Sequence, residues 1–199
     1  MALIIHGSSR SRTMRVLWMA AEVGVDFDHD PVGFDDPRLK SDAFLRLNPA
    51  GAVPTIEDDG FALSESLAIN LYLAKRYAPG SLYPTSPQDE AQVWRWTLWA
   101  QGQLEPWLMR DALLADLRAA MADHAGPVVA ASLAVLNRVL ADRSWLVGGA
   151  FTVADLNVAA VLSPSRSEHL DLIPYANVAA WLARCYARPA ARATRARFG

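Results

Sequence analysis

A chain of 199 residues, 52% of them apolar, can bury a real core in one large domain or two small ones, and its net charge of −2 makes no electrostatic case for nucleic acid or an anionic membrane. No apolar run reaches the roughly 18 residues needed to span a bilayer, and the start lacks the basic-then-apolar layout of a signal peptide. A single cysteine, Cys185, excludes an internal disulfide or a thiolate cluster, and four scattered histidines show no metal-ligand spacing, so the expectation is a cytoplasmic protein without metal.

In chain order, residues 2–6 form a compact apolar run closed by Gly7 and predict a strand. Residues 14–23 predict a helix, with Val16, Leu17, Ala20 and Ala21 at 3.6-residue spacing and Gly24 at the stop position. A weak alternation over 27–32 suggests a second strand. Residues 35–47 read as irregular or helical up to the helix-hostile Asn48-Pro49. Two β-like runs, 53–57 and 61–63, flank Asp58-Asp59-Gly60 and announce a hairpin. Residues 64–77 are a helix with Leu67, Leu71 and Ala74 on one face, which completes a β-α-β-α-β-β-α order. The expected domains are 1–78 and 88–199, joined by a proline-rich linker at 79–87.

Beyond the linker no strand is predicted. Residues 88–114 carry a long helical pattern with Trp94, Trp96, Trp99 and Trp107, and 126–141 form another with Val128, Leu133, Leu136 and Leu140 as its stripe. Thr152 and Asp155 have the spacing of a capping box, with Phe151 and Leu156 set to staple the turn, so the motif is structural. Residues 178–187 are the last clear helix, and the arginines between 184 and 197 read as a solvated face.

Two stretches carry possible chemistry. In the first, Ser8, Ser9 and Ser11 follow the first strand. They could supply a nucleophile, a phosphate cradle, a hydrogen-bond donor or a helix cap. A nucleophile wants a histidine base, and the hydrolase elbow has a second glycine that is missing here. The phosphate-loop patterns are absent as well. Capping explains one serine well and three poorly. The remaining reading is a donor at a helix start, where unpaired amides and the dipole favour an anion. The second stretch, residues 46–73, contains the turn Asn48-Pro49-Ala50-Gly51, a proline heading a strand at Val53-Pro54, and Ser64-Glu65-Ser66 opening a helix.

The order Asn48, Pro49, Gly51, Val53, Pro54, then Glu65, Ser66, Ala68, Ile69, Tyr72 and Leu73, resembles the glutathione-binding half of the cytosolic glutathione S-transferases. The resemblance spans essentially the whole chain. It implies a thioredoxin-like N-terminal domain followed by an all-helical domain, in a homodimer with glutathione as co-substrate. It further implies that Pro54 is cis, that the Val53 backbone pairs with glutathione like an added strand, and that Glu65 and Ser66 hold the γ-glutamyl end. Many relatives carry a lysine where Ala52 stands, so Lys40 or an arginine from 10–15 is expected to meet the glycyl carboxylate instead. By analogy with the serine-rich turn of the zeta class, Ser8 falls on the thiol-activating position, with Ser9 beside it and Ser11 as the cap of the helix. Trp99, Gln103, Trp107, Met109 and Arg110 are candidates for the wall of a small apolar electrophile's pocket, set against a core or dimer role for the tryptophans. The same resemblance leaves open a zeta-like isomerase, or a protein that binds glutathione without turnover.

Overall fold

Leu3–His6 form β1, whose Leu3 and Ile5 side chains are buried. It lies inside a four-stranded sheet of order β2-β1-β3-β4, parallel to β2 (Phe27–Asp30) and antiparallel to β3 (Thr55–Asp58). The computed structural model describes residues 3–108, 115–164 and 170–199, the side chains of 115–124 excepted. β3 pairs with β4 (Phe61–Ser64) from Thr55↔Ser64 to Asp58↔Phe61. Asp59 and Gly60 make the hairpin turn with φ of 51° and 85°, the left-handed pair that suits the twist of two-residue hairpins.

The helices of this unit follow their apolar spacing. α1 (Thr13–Val23) buries Val16, Leu17, Met19 and Ala20, and ends at Gly24, whose φ of 68° lets its N–H reach the Ala20 carbonyl. A 3-10 turn at Pro37–Lys40 and α2 (Asp42–Leu47) replace the irregular stretch, each started by a side-chain cap, Asp36 and Ser41. α3 (Ser66–Tyr77) buries Leu67, Ile69, Leu71, Leu73 and Ala74 and packs against α1. The expected β-α-β-α-β-β-α order of a thioredoxin-like domain is therefore present.

The chain divides into two compact units, Met1–Pro84 with Ala187–Gly199, and Thr85–Tyr186. In the second, α4 (Pro87–Trp99) is capped by Ser86 and leads into a π-helical stretch, Ala100–Leu104, and a short α5 (Glu105–Leu108). The uniform helix expected from residue 88 onward is thus interrupted. Pro106 accounts for the break: it has no amide for the Gly102 carbonyl and its ring crowds that oxygen, so the preceding turn widens. α6 (Ala115–Val139) follows. α7 (Val153–Val161) is buried along its whole length and carries the expected capping box.

Asp155 does more than cap. It accepts the Thr152 amide at 3.0 Å, the Leu146 amide at 2.9 Å and the Trp181 indole N–H at 2.9 Å, the last from α8 (Ala176–Ala187). Burial pushes its carboxyl above the ordinary range, while these donors pull it back only in part.

One helix lies beyond the last one read from the sequence. α9 (Pro189–Phe198) begins with proline at its first position, where no amide is missed, and packs on α1. The idea of a wholly solvated arginine face is corrected there. Arg188 grips the buried Glu22 carboxylate with two bonds, at 2.8 Å and 2.7 Å, because a planar guanidinium matches a carboxylate's two oxygens.

Candidate functional site

The serine turn is anchored at its first residue. Gly7 continues the ladder by donating to the Asp30 carbonyl, and Ser8 donates its amide to Val32, both at 2.8 Å. Gly7 has φ of 135°, and a β-carbon there would run into Thr13 and Val53, so glycine is required. The Ser8 carbonyl accepts both the amide and the hydroxyl of Ser11, at 3.0 Å and 2.7 Å.

The three hydroxyls differ in what they have left to give. Ser11 Oγ is occupied on all sides: besides its bond to Ser8 it accepts the Thr13 amide at 3.0 Å and lies 2.7 Å from Thr13 Oγ1. Ser8 Oγ only accepts, from the Arg10 amide at 3.3 Å, which leaves its proton for another partner. Ser9 is half-buried and makes no hydrogen bond among the described residues.

The second stretch is stapled by Asn48. Its buried side chain accepts the Ala50 amide at 3.1 Å and donates to Ala52 O at 2.8 Å and Thr55 Oγ1 at 3.1 Å. The turn so closed delivers the chain into the Val53-Pro54 peptide, which is cis. Lys40 lies over the same turn, its Nζ 3.3 Å from Ala50 O and 3.2 Å from Gly51 O. An ammonium therefore sits next to Ala52, the position without a lysine.

At the head of α3, Glu65 has φ of 71°, an uncommon conformation for a residue with a β-carbon, and the helix begins with no side-chain cap. Ser66, buried, accepts at Oγ from the Arg15 guanidinium at 3.3 Å. Arg15 is itself buried, 4% exposed, in α1. The arrangement sets a cation, a helix N-terminus and a hydroxyl with an undirected proton around one point, which is what a carboxylate requires.

Close to β1 lies a charged group that the sequence did not predict. His6 has Nδ1 3.0 Å from Asp30 and Nε2 2.9 Å from Glu57, with the Phe44 ring edge-on at 5.7 Å. Burial raises the Asp30 carboxyl, but the bond from His6 and the charge of Arg38 outweigh it, and the net shift is downward from 3.8. Tyr72, part of the motif, turns away from any ligand role. Its hydroxyl donates to the buried Asp58 at 2.8 Å, and burial with that bond pushes it up to about 12.

Of the pocket candidates, Trp99 is half-buried and meets the buried Trp96 edge-on at 5.2 Å. Gln103 is exposed on the π-helical stretch, an irregularity often found at functional sites, and Trp107 is half-buried in α5. Met109 and Arg110 lie outside the described residues. The Arg15–Ser66 bond joins residues 51 apart in the chain, and no local signal reports it.

Comparison with known proteins fits this geometry. A profile described as "Glutathione S-transferase, N-terminal domain" matches residues 11–76, and one described as "Glutathione S-transferase, C-terminal domain" matches 102–189. The chain is 34% identical over 208 residues to glutathione S-transferase PARB of Nicotiana tabacum, covering 96% of this chain and 95% of that protein. It is also 34% identical over 158 residues to elongation factor 1-gamma of Danio rerio, which is 75% of this chain and 35% of that protein. Among solved structures it is similar to the theta class glutathione S-transferase of Xanthomonas axonopodis pv. citri with glutathione bound, with a TM-score of 0.84, 28% identity and 96% of each chain covered.

Proposed function

Since the chain belongs to the cytosolic glutathione S-transferase family, we propose that it works as a glutathione transferase driven by a serine hydroxyl. Glutathione is the co-substrate. Its γ-glutamyl carboxylate lies at the head of α3 against Ser66 and Glu65, with Arg15 beneath. Its cysteinyl backbone pairs with Val53 ahead of Pro54, and Lys40 meets its glycyl carboxylate. The observation that carries this assignment is the uncapped start of α3, with a buried arginine on the first hydroxyl.

Ser8 then acts on the sulfur. A free thiol has a pKa of about 8.5, so only a few per cent is thiolate at neutral pH. Lowering it by about two units needs roughly 2.7 kcal/mol of preferential thiolate binding. One hydrogen bond to a charged acceptor contributes about 1.5–3 kcal/mol, and the nearby helix start adds several tenths. A donor is enough, and no base is needed. Ser8 is favoured over Ser11 because its proton is unspent, while that of Ser11 serves the turn; Ser9, also undirected, is the alternate.

The second substrate is a small apolar electrophile, with Trp99, Gln103 and Trp107 as the candidate wall. The protein works in the cytoplasm; among the described residues no helix is long and apolar enough to cross a membrane. It acts as a homodimer, a reading supported by Trp94 and Leu98, one turn apart on α4 and exposed by 46% and 63%.

The likeness to elongation factor 1-gamma, not named as a transferase, favours one other reading: a protein that binds glutathione or a partner without turnover. A conjugation assay over a panel of electrophiles, with maleylacetoacetate-type double bonds included, separates the two. The transferase reading expects turnover that drops in Ser8→Ala. Glutathione-dependent thermal stabilisation with no turnover on any compound would establish the binding reading instead.

A further inference from the structure

The Gly7–Ser8 peptide plane is held at both ends. Its N–H side, from Ser8, donates to Val32 O at 2.8 Å. Val32 itself is buried in the small cluster with Leu39 and Phe44, so that acceptor does not wander. On the other side, the Gly7 carbonyl oxygen lies 2.8 Å from Nε2 of His29. A carbonyl can only accept, so Nε2 carries the hydrogen and His29 is the donor. A peptide plane gripped at its oxygen and its N–H is fixed in orientation, and the N–Cα bond of Ser8 with it; the Ser8 carbonyl, held by the Ser11 amide and hydroxyl, restrains the turn about that bond and so the direction of the side chain.

His29 in turn is backed from the far end of the chain. Its ring meets Phe198 edge-on, with centroids 5.2 Å apart. Phe198 also lies 6.3 Å from the Phe27 ring, and Arg197 stacks its guanidinium over Phe198 at 4.8 Å. Arg197 and Phe198 sit on α9, which is locked to α1 by the two-bond grip of Arg188 on Glu22. A continuous line of contacts thus runs from the last helix through one imidazole to the carbonyl before the serine turn.

We propose that His29 is a positioning residue for Ser8, and that Phe198 of α9 holds the imidazole in place for that task. The inference rests on the reading of Ser8 as the thiol-activating donor. His29 touches neither glutathione nor the sulfur; it fixes the peptide from which the donor projects. Such a residue influences how well the hydroxyl is aimed and leaves the grip on the rest of the tripeptide alone. Misplacing a reacting group by a fraction of an ångström is enough to cost about tenfold in rate.

The test uses the full chain and three substitutions beside Ser8→Ala. His29→Leu removes the donor, His29→Gln keeps an N–H at nearly the same reach, and Phe198→Ala removes the backing ring. The readouts are ultraviolet titration of the bound thiolate, kcat and KM for glutathione, and the thermal unfolding midpoint. The expected result is a loss of about tenfold in kcat for His29→Leu, with its thiolate titrating nearer to free glutathione and KM within about twofold. His29→Gln restores most of the loss, and Phe198→Ala falls between the two. If His29→Leu titrates like the wild type while Ser8→Ala does not, the positioning role is overturned and the serine mechanism stands. If His29→Gln fails to rescue and both variants lose activity only in step with their unfolding midpoints, His29 is structural and the proposal falls. If Ser8→Ala itself leaves the thiolate unchanged, the underlying reading is what fails.

Discussion

Helices α7 and α3 begin in contrasting ways. α7 is answered from its own neighbourhood: Thr152 takes the Ala154 amide, and Asp155 takes the Thr152 amide together with donors from Leu146 and Trp181. α3 starts on Glu65 in a left-handed conformation with no side-chain cap, and its Ser66 hydroxyl accepts from a buried arginine. The first start is complete as it stands and stabilises the fold. The second carries no such cap and has a cation on its first hydroxyl, the arrangement proposed above to receive an anion, and the difference teaches that a helix N-terminus can take an anion where no side chain already occupies it.

The comparison breaks most visibly at Asp155. Asp155→Ala leaves the Trp181 indole and two amides without an acceptor, and is expected to cost more than about 3 kcal/mol in urea unfolding. Glutathione affinity of the folded fraction should stay within about twofold, and a larger loss would show that α7 is more than a scaffold. Ser8→Ala is expected to lower kcat/KM by about 10- to 100-fold, the worth of one hydrogen bond to a charged sulfur, with little change in unfolding midpoint. Ser11→Ala, by contrast, should show up as about 1 kcal/mol of lost stability, since its hydroxyl ties the turn.

Smaller effects sharpen the same contrast. Ser66→Ala should weaken glutathione binding by about tenfold in calorimetry. Lys40→Met should weaken it by no more than about fivefold, and the difference from wild type should shrink in high salt because Lys40 is exposed. The smallest effect is on acid stability. The carboxyl of Asp30 is lowered in the fold, so its contribution is complete above its ordinary value of 3.8 and fades as the pH falls below it. Asp30→Asn should therefore be less stable than wild type at neutral pH and lose stability less steeply below pH 3.8.

Much of the architecture was legible from one sequence. Apolar spacing and the Gly24 stop announced α1, Asp59-Gly60 announced the hairpin, and Thr152 with Asp155 announced the start of α7, because each signal acts within a few residues. The expected thioredoxin-like unit followed by a helical one is what the chain forms. Less legible were the π-helical stretch, which follows from Pro106 acting on the preceding turn, and α9, which restarts helical structure at Pro189. The arginines near the end looked alike in sequence, yet Arg188 alone finds Glu22, a partner 166 positions away.

The candidate site divides along the same line. Asn48-Pro49-Ala50-Gly51, Val53-Pro54 and Glu65-Ser66 are local signals and could be read directly, as could the serines after β1. What each hydroxyl bonds to could not be read, because three serines in one turn carry no mark of which proton is spent. The sequence by itself determined the elements, their order and the pieces of backbone proposed to meet a tripeptide, since those depend on spacing and φ preference along the chain. Only the tertiary structure decided that Arg15 lies on Ser66, that Lys40 stands over the turn at Ala52, and that His29 holds the carbonyl before Ser8. Those contacts join residues far apart in the chain, and packing alone brings them within reach.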